Sequence, residues 1–165
     1  MDARLPPHRV GFGHDVHRTA PGRPLILAGV RVPCEFGLLG HSDADVVLHA
    51  LCDALLGAAG LGDIGELFPD TNPQFKDADS AIFLDHVLRL LRRNGWGVVN
   101  VDVHIHAERP RLAPHKQAMR ERLRELLSLP PDAVNVKAGT NEGLDAIGRG
   151  EAIACSAAAL LERLE

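Results

Sequence analysis

Apolar and polar residues alternate along several stretches of this chain, which is the pattern of strands that bury one face. The segment "VVNVDVHIHAE" alternates in this way and predicts a strand half-buried in a sheet. Residues 8 to 17 and the segment "PLILAGVRVP" are also typical of strands, and Ala28-Gly29 within the latter predicts the turn of a hairpin. The segment "AVNVKAGT" predicts one more strand.

Other stretches repeat their apolar residues with the spacing of a helix. The segment "HSDADVVLHALCDALLGAAG" predicts a helix that is capped by Ser42 or Asp43 and ended by Gly57 and Gly60. A second helix is predicted from about residue 79 to residue 93. The segment "APHKQAMRERLRELLSL" predicts an amphipathic third helix.

Two segments are harder to assign from their pattern. "LGDIGELFPDTNPQFKD" has several helix and strand breakers and no periodicity, which predicts a long loop of the kind that is functional or disordered in small domains. "GEAIACSAAALLERL" fits a strand or a helix, and we favour a strand for its first half. The order of elements predicts an α+β single-domain sandwich, a mixed β-sheet with helices on one face in a ferredoxin-like arrangement. We expect residues 1–8 to form a flexible tail and residues 9–165 to form one domain.

Composition narrows the class of protein. The chain has 165 residues, enough for one compact core, and aromatic residues make up only 4% of it, so that core must consist of Leu, Val, Ile and Ala. A formal net charge of −4 disfavours a nucleic-acid partner. The three cysteines are widely spaced and odd in number, which indicates reduced thiols and a cytoplasmic protein. No apolar run is long enough to cross a bilayer and no leader sequence is present, so no membrane association is expected.

Asp15 and His17 are separated by one residue in the first predicted strand, so their side chains leave the same face. His49, on the first helix, would complete an Asp-His-His set, the ligand count of a catalytic zinc site with one open position. A polar strand edge and a histidine buried in the core would give the same pattern. Cys52, one turn from His49, could replace one ligand, although core packing is the more common role of such a cysteine.

Two further segments combine glycines with charged residues. The loop "LGDIGELFPDTN" presents Asp63, Glu66 and Asp70, a composition that suits sugar hydroxyls, a second metal or phosphates, and equally a solvated loop. The segment "KAGTNEGLDAIGRGEA" brings Lys137 and Arg149 together with four glycines, which suits phosphate oxygens, and its carboxylate Glu142 would need a cation such as Mg²⁺ or Mn²⁺. No P-loop sequence and no G-x-S-x-G sequence occurs, so the chain lacks the motifs of a P-loop nucleotidase and of a serine hydrolase.

Five longer motifs together resemble one family. "GHDVHR", "GLLGHSDADVVLHALCDALLGAAGLGDIGELFPDT", "NVDVHIHAERPRLAPH", "VNVKAGTNEGL" and "GRGEAIAC" are similar to the 2-C-methyl-D-erythritol 2,4-cyclodiphosphate synthases of the non-mevalonate (MEP) route to isoprenoids. The resemblance runs from about residue 9 to residue 161. It implies a homotrimer of α/β subunits with active sites between neighbours. It also implies an enzyme, a phosphorus-oxygen lyase, that closes 4-diphosphocytidyl-2-C-methyl-D-erythritol 2-phosphate into the cyclic diphosphate and releases CMP.

The resemblance also implies roles for individual residues. Zinc would be bound by Asp15, His17 and His49, of which Asp15 and His17 also belong to the substrate site, and a second divalent ion, Mg²⁺ or Mn²⁺, by Glu142. His41, Thr140 and Lys137 would be the catalytic residues. The residues that would contact the methylerythritol phosphate and its sugar are His41, Ser42, Asp63, Ile64, Gly65, Phe68, Pro69, Asp70, Thr71 and Asn72. Those that would form the cytidine pocket are Ala107, Glu108, Arg109, Pro110, Arg111, Leu112 and Ala113. Those that would hold the diphosphate or lie near the trimer axis are Gly139, Thr140, Asn141, Glu142, Ala146 and Arg149.

The chain departs from the family pattern at two of these positions. The family commonly has Thr where Gly139 stands and Phe where Ala146 stands. Gly139 is compatible with binding through backbone amides, whereas Ala146 argues against a prenyl diphosphate in the cavity at the trimer centre. Two other functions remain open on the residues: a zinc-dependent phosphodiesterase that releases CMP without cyclisation, and a non-catalytic trimeric binding protein, which would not need Glu142.

Overall fold

The computed structural model describes residues 7–165. Its strands are β1 (His8–Pro21), β2 (Leu25–Leu27), β3 (Val30–Val32), β4 (Phe36–Leu38), β5 (Trp96–His106), β6 (Val134–Gly139) and β7 (Ala152–Arg163). Its α-helices are α1 (Val46–Ala59), α2 (Ile64–Leu67), α3 (Ser80–Arg93), α4 (Lys116–Leu127) and α5 (Asp145–Gly148). Short 3₁₀ turns occur at Pro73–Phe75, Ala113–His115 and Pro131–Ala133.

Five strands form a mixed sheet in the order β4-β1-β7-β5-β6, and β2 and β3 form a separate hairpin. The central strand β7 pairs antiparallel with β1 on one side and with β5 on the other, and β6 runs parallel to β5. Strands β1, β5 and β6 therefore point the same way and end at the same edge of the sheet. The predicted mixed sheet of an α+β protein is confirmed.

Helix α1 packs closely on one face of this sheet because β1 presents two glycines to the helix. A Cβ on Gly13 would overlap the carbonyl oxygen of Ala50, and one on Gly11 would lie 2.6 Å from the backbone nitrogen of Ala58. Only glycine allows the backbones of β1 and α1 to approach so closely. The opposite face of β1 is open to solvent, where Phe12 keeps 69% of its surface exposed.

The first helix begins later than the sequence pattern predicts. Its N-cap is Asp45, not Ser42 or Asp43, and the Asp45 carboxylate accepts hydrogen bonds from the backbone of Val47 and Leu48. The same carboxylate accepts from Ala28 and Gly29 in the β2–β3 turn, at 2.9 and 2.6 Å. This contact with a distant turn explains why the cap lies at residue 45. Gly60 ends the helix in the left-handed conformation, as predicted, whereas Gly57 lies inside it.

Other predicted elements agree with the structure in most places. The hairpin with its turn at Ala28-Gly29, the second and third helices, and strands β5 and β6 are confirmed. The segment expected to be one long loop instead contains α2 and a 3₁₀ turn, and α5 was not predicted. The segment that fitted a strand or a helix forms strand β7 from Ala152 to Arg163, so the strand continues beyond the first half. Of the tail predicted over residues 1–8, residues 1–6 lie outside the described residues, and His8 already belongs to β1.

Within residues 7–165, no helix combines the length and the apolar character that a membrane crossing requires. The three cysteines are free thiols, with Cys52 and Cys155 buried and Cys34 half-buried. Burial raises the pKa of both buried thiols well above the usual value. Cys52 packs in the core and is not part of the Asp-His-His cluster, as its alternative role predicts.

Candidate metal centre and its neighbouring clefts

The side chains of Asp15, His17 and His49 converge where β1 crosses α1. Asp15 Oδ2 lies 3.0 Å from His17 Nε2 and 3.1 Å from His49 Nδ1, and the two ring nitrogens are 3.1 Å apart. Zinc bonds of about 2.0–2.1 Å in tetrahedral geometry place ligand atoms roughly 3.3 Å apart, so a small outward movement would accommodate the ion. In the part of the chain that the structure describes, these three residues form the group able to hold a metal ion.

The electrostatics of the cluster suit a cation. Burial raises the pKa of the Asp15 carboxyl, but hydrogen bonds from His17 and His49 outweigh burial and hold that pKa well below its usual value. Burial lowers the pKa of His49, but the hydrogen bond to Asp15 and the charges of Asp15, Asp45 and Asp43 raise it above 6.5 overall. Without a metal, protons therefore compensate the carboxylate charge, and a divalent cation would replace them.

The other side of the His49 ring is held by hydroxyl groups. His49 Nε2 lies 2.9 Å from Ser80 Oγ and 3.3 Å from Ser42 Oγ. Ser80 stands at the start of α3, is fully buried, and donates its hydroxyl hydrogen to the carboxylate of Asp43. The ring of His49 is thus fixed at both nitrogens.

A cleft of about 270 Å³ opens beside this cluster. Eight of the residues implied by the sequence line it: His17, His41, Ser42, His49, Ile64, Gly65, Phe68 and Asp70. Its apolar wall is an aromatic cluster in which the ring of Phe68 stacks on that of Phe83 at 4.6 Å and meets that of Phe75 edge-on at 5.4 Å. The cleft therefore has one polar wall, near the metal cluster, and one apolar wall.

Three further residues, Asp63, Asp53 and Asn72, position the cleft without lining it. Asp63 accepts a hydrogen bond from the backbone of Glu66 at 2.9 Å as the N-cap of α2. Asp53 on α1 accepts one from the backbone of Ile64 at 2.8 Å, which ties α2 to α1. His41 Nε2 donates to the carbonyl oxygen of Asn72 at 3.0 Å. Pro69 and Thr71 do not line the cleft in the single chain.

A second cleft, of about 240 Å³, lies where β5 and β6 end. It is lined by six of the seven residues implied for the cytidine pocket, together with Lys116, Ala138, Gly139 and Thr140. Those six are Ala107, Glu108, Pro110, Arg111, Leu112 and Ala113. A backbone hydrogen bond of 3.0 Å from Ala107 to Gly139 joins its two walls. The two clefts share no lining residue, although both lie at the same end of the sheet.

Arg109 is the one residue implied for the cytidine pocket that does not line the second cleft. Its guanidinium lies over the ring of Phe36 at 5.0 Å and forms an ion pair of 3.1 Å with Glu35. In the single chain it therefore faces β4 and not the second cleft. Its implied contact with a substrate stays a prediction.

The segment after β6 contains the implied diphosphate residues. Thr140 Oγ1 donates to Glu142 Oε1 at 3.1 Å, and Asn141 donates to Asp145 at 3.0 Å. Glu142 has a left-handed backbone with φ of 52° and an exposed side chain. The Glu142 carboxylate is not part of the Asp15–His17–His49 cluster, as a site for a separate ion requires.

Two implied residues are engaged elsewhere in the single chain. Lys137 Nζ pairs with Asp102 at 2.6 Å and lines neither cleft. Arg149 binds Glu151 through two nitrogens, at 2.9 and 3.1 Å, beyond α5, which contains Ala146. Their implied roles also stay predictions.

Sequence reasoning missed several residues of the site. Phe75 and Phe83 form its apolar wall, Ser80 and Asp43 hold His49, and Asp53 anchors α2. Ser80 follows a helix-capping Asp79 and therefore has the sequence pattern of an ordinary helix start. Asp43 has the pattern of a helix cap. Both patterns hide a contact that only the tertiary structure creates.

An α+β domain with a candidate metal centre and two clefts at one end of a mixed sheet is the class of protein that this fold and site define. A model of the YgbB family matches residues 8–162, and the chain belongs to that family. A relative from Synechococcus sp. (strain CC9311), named 2-C-methyl-D-erythritol 2,4-cyclodiphosphate synthase, is 53% identical over 166 residues, which cover 99% of this chain and 100% of the relative. The resemblance drawn from the motifs is thereby confirmed.

Solved structures agree with this assignment. A structure of 2C-methyl-D-erythritol-2,4-cyclodiphosphate synthase in a CDP-bound form is 42% identical, has a TM-score of 0.87, and is matched over 93% of this chain and 100% of its own. The bifunctional IspDF of Campylobacter jejuni is 44% identical with a TM-score of 0.92 over 96% of this chain, and this chain spans only 43% of that protein.

Proposed function

We propose that this protein closes 4-diphosphocytidyl-2-C-methyl-D-erythritol 2-phosphate into 2-C-methyl-D-erythritol 2,4-cyclodiphosphate and releases CMP, as a phosphorus-oxygen lyase of the MEP isoprenoid pathway. The observation that carries this proposal is the convergence of Asp15, His17 and His49 beside a cleft lined by His41 and Ser42, in a chain that belongs to the YgbB family. The CDP-bound form of one structural neighbour supports a cytidine nucleotide as ligand.

The reaction needs positioning more than acid-base catalysis. The 2-phosphate is the nucleophile, and with a second pKa of about 6 it is largely dianionic near neutral pH without a protein base. The flexible, highly anionic substrate must instead be folded so that its 2-phosphate meets the β-phosphorus in line with the departing CMP. Zinc at Asp15, His17 and His49 and Mg²⁺ or Mn²⁺ at Glu142 would supply Lewis-acid stabilisation of the phosphate charges when bound.

The chain's own residues would divide this work between the clefts. The first cleft would hold the methylerythritol 2-phosphate, with Phe68 against the apolar part of the sugar. The second would read the base through the backbone of residues 107–113. The hydroxyl of Thr140, which lines the second cleft and donates to Glu142 in the single chain, would turn from Glu142 and donate to the diphosphate as charge moves onto CMP. His41 would donate from its second nitrogen when that nitrogen is protonated, since Nε2 is bonded to Asn72.

We further propose a homotrimer whose sites lie between subunits, on a ferredoxin-like fold. The open face of the sheet supports this, because Val10, Phe12 and Val16 on it are 76%, 69% and 52% exposed. Large apolar side chains exposed together on one strand face are typical of an interface between protein chains. The separation of the two clefts supports a site completed by a neighbour. We propose the cytoplasm as its location, since all three cysteines are free.

The test is to incubate the zinc-loaded protein with the substrate and Mg²⁺ and to follow ³¹P NMR. The proposal predicts CMP and the cyclic diphosphate in equal amounts. CMP with an open-chain 2,4-bisphosphate would indicate the phosphodiesterase instead. Binding of substrate without turnover would indicate the non-catalytic binding protein.

A further inference from the structure

We propose that Ser80 is a positioning residue which, held by Asp43, fixes His49 so that its Nδ1 offers a free lone pair to a metal ion. This inference rests on the proposed metal site. Its basis is the direction of each hydrogen bond around Ser80 Oγ.

Ser80 has one hydroxyl hydrogen to give, and its surroundings determine where that hydrogen goes. Asp43 Oδ1 accepts it, because a carboxylate has no hydrogen of its own to donate. Asp43 is itself held by hydrogen bonds from the backbone nitrogens of Ser80 and Asp45, each of 3.1 Å. The serine oxygen can therefore only accept a hydrogen bond from its other neighbours.

His49 Nε2 is one of those neighbours, at 2.9 Å from Ser80 Oγ. A nitrogen next to an accepting oxygen must bear the hydrogen, so Nε2 is the protonated nitrogen of the ring. In the neutral ring that a metal requires, the lone pair then lies on Nδ1, the atom that faces Asp15 and His17. The Ser42 hydroxyl, at 3.3 Å from the same nitrogen, is the longer contact.

The chain Asp43–Ser80–His49 thus resembles the carboxylate–histidine–metal arrangement found around zinc in other proteins, with a serine hydroxyl inserted between carboxylate and imidazole. The arrangement is buried, since Ser80 is 0% exposed and the side chain of His49 is 14% exposed. Water therefore cannot readily replace the hydroxyl. Loss of such a partner typically weakens metal binding about 10- to 100-fold.

The test is a competition titration of zinc against a chromophoric chelator, using the metal-free full chain. We expect Ser80→Ala to weaken zinc binding about 10- to 100-fold. Ser156→Ala is the matched control, because it removes a serine hydroxyl that lies 3.2 Å from a histidine nitrogen, that of His14, outside the metal cluster. We expect its zinc affinity to equal that of the wild type, and Ser80→Thr, which keeps the hydroxyl, to recover most of the affinity. Equal zinc affinity in Ser80→Ala and wild type would overturn the inference.

A second measurement does not depend on how any variant folds. Long-range ¹H–¹⁵N NMR of the zinc-loaded wild type distinguishes a protonated from a metal-bound ring nitrogen. We expect His49 to show a protonated Nε2 and a metal-bound Nδ1, and the reverse assignment would overturn the inference. A wild type that binds no zinc would instead remove the metal site itself, so the two failures are distinguishable.

Discussion

Gly13 on β1 lies directly against the carbonyl oxygen of Ala50 on α1, closer than any residue with a side chain could approach. Ala50 follows His49, and Gly13 stands two residues before Asp15. This approach therefore sets the distance between the strand that presents two ligands and the helix that presents the third. The metal centre depends on backbone packing as well as on its ligands.

We expect Gly13→Ala to weaken metal binding and to destabilise the fold. The added methyl group must push β1 away from α1, and overpacking of this kind typically costs about 1–3 kcal/mol. For a chain of this size that lowers Tm by roughly 3–10 °C. Thermal unfolding and a zinc titration measure the two effects. Gly57→Ala on α1 is the control, because a Cβ added at Gly57 would meet no atom outside the helix backbone closer than 3.9 Å. That change should stabilise the helix by about 0.5–1 kcal/mol. Tight zinc binding in Gly13→Ala would show that the close approach is not needed.

Glu142→Gln should separate the two proposed ions. We expect it to remove most turnover and the dependence on Mg²⁺ or Mn²⁺ while zinc content stays at the wild-type level, since the carboxylate lies outside the zinc cluster. His49→Ala should instead abolish zinc binding, because a site of three protein ligands loses its tetrahedral frame when one ligand is removed. Elemental analysis of both variants, with circular dichroism to verify folding, measures this. Zinc that falls in parallel with activity in Glu142→Gln would mean that the sites are not independent.

Zinc affinity should depend on pH through His49. Its pKa is raised above 6.5 by Asp15 and the neighbouring carboxylates, so a proton must leave the ring before the metal binds. We expect affinity to fall as pH falls through this raised pKa and below 6.5. Calorimetry in buffers of different ionisation enthalpy counts the protons released, and no proton release near neutral pH would contradict the assignment.

The contribution of His49 to the stability of the metal-free protein should fall as pH rises, whereas zinc affinity should rise. A histidine whose folded pKa is raised stabilises the fold fully below its unfolded value, here 6.5, and this contribution is lost as pH rises through the raised pKa. The depressed pKa of Asp15 adds stability that is present above 3.8 and lost as pH falls through its folded value. Zinc should therefore increase Tm more at pH 8 than at pH 6.

Much of the fold follows from local sequence. The alternation in β5 and the turn at Ala28-Gly29 are local signals, and the structure has both elements where the sequence predicts them. The last strand was ambiguous because its alanine-rich sequence also suits a helix. Pairing with β1 and β5 on its two sides makes this segment a strand. Its alternation is hidden because alanine stands both at core-facing positions, such as Ala157, and on the open face, at Ala158.

The site could be predicted only in part, because contacts between distant parts of the chain complete it. Asp15 and His17 are recognisable by their spacing on one strand face, but His49 joins them only through the packing of α1 on β1. Ser42 and Asp43 have the pattern of helix caps, yet Asp45 is the cap, and the other two face the network around His49. Propensity rules do not include these distant partners, so they assign the residues to the wrong role.

Mixing two inactive variants tests whether the site is shared between subunits. His49→Ala destroys the metal half, and Ala113→Trp fills the second cleft from an exposed position that leaves the core intact. In randomly mixed trimers about one quarter of the interfaces would combine two intact halves, so about a quarter of wild-type activity should return. Light scattering and tagged co-purification verify the hybrids. Inactive hybrids would mean that each site is complete within one chain.

The most direct test of the proposed reaction is turnover in ¹⁸O-labelled water, followed by mass spectrometry of both products. In cyclisation the substrate's own 2-phosphate oxygen forms the new bond to the β-phosphorus, and CMP leaves without any atom from water. The account therefore predicts a cyclic diphosphate and CMP that both lack ¹⁸O. One ¹⁸O atom in CMP or in an open-chain bisphosphate would show that water is the nucleophile, and it would contradict the account.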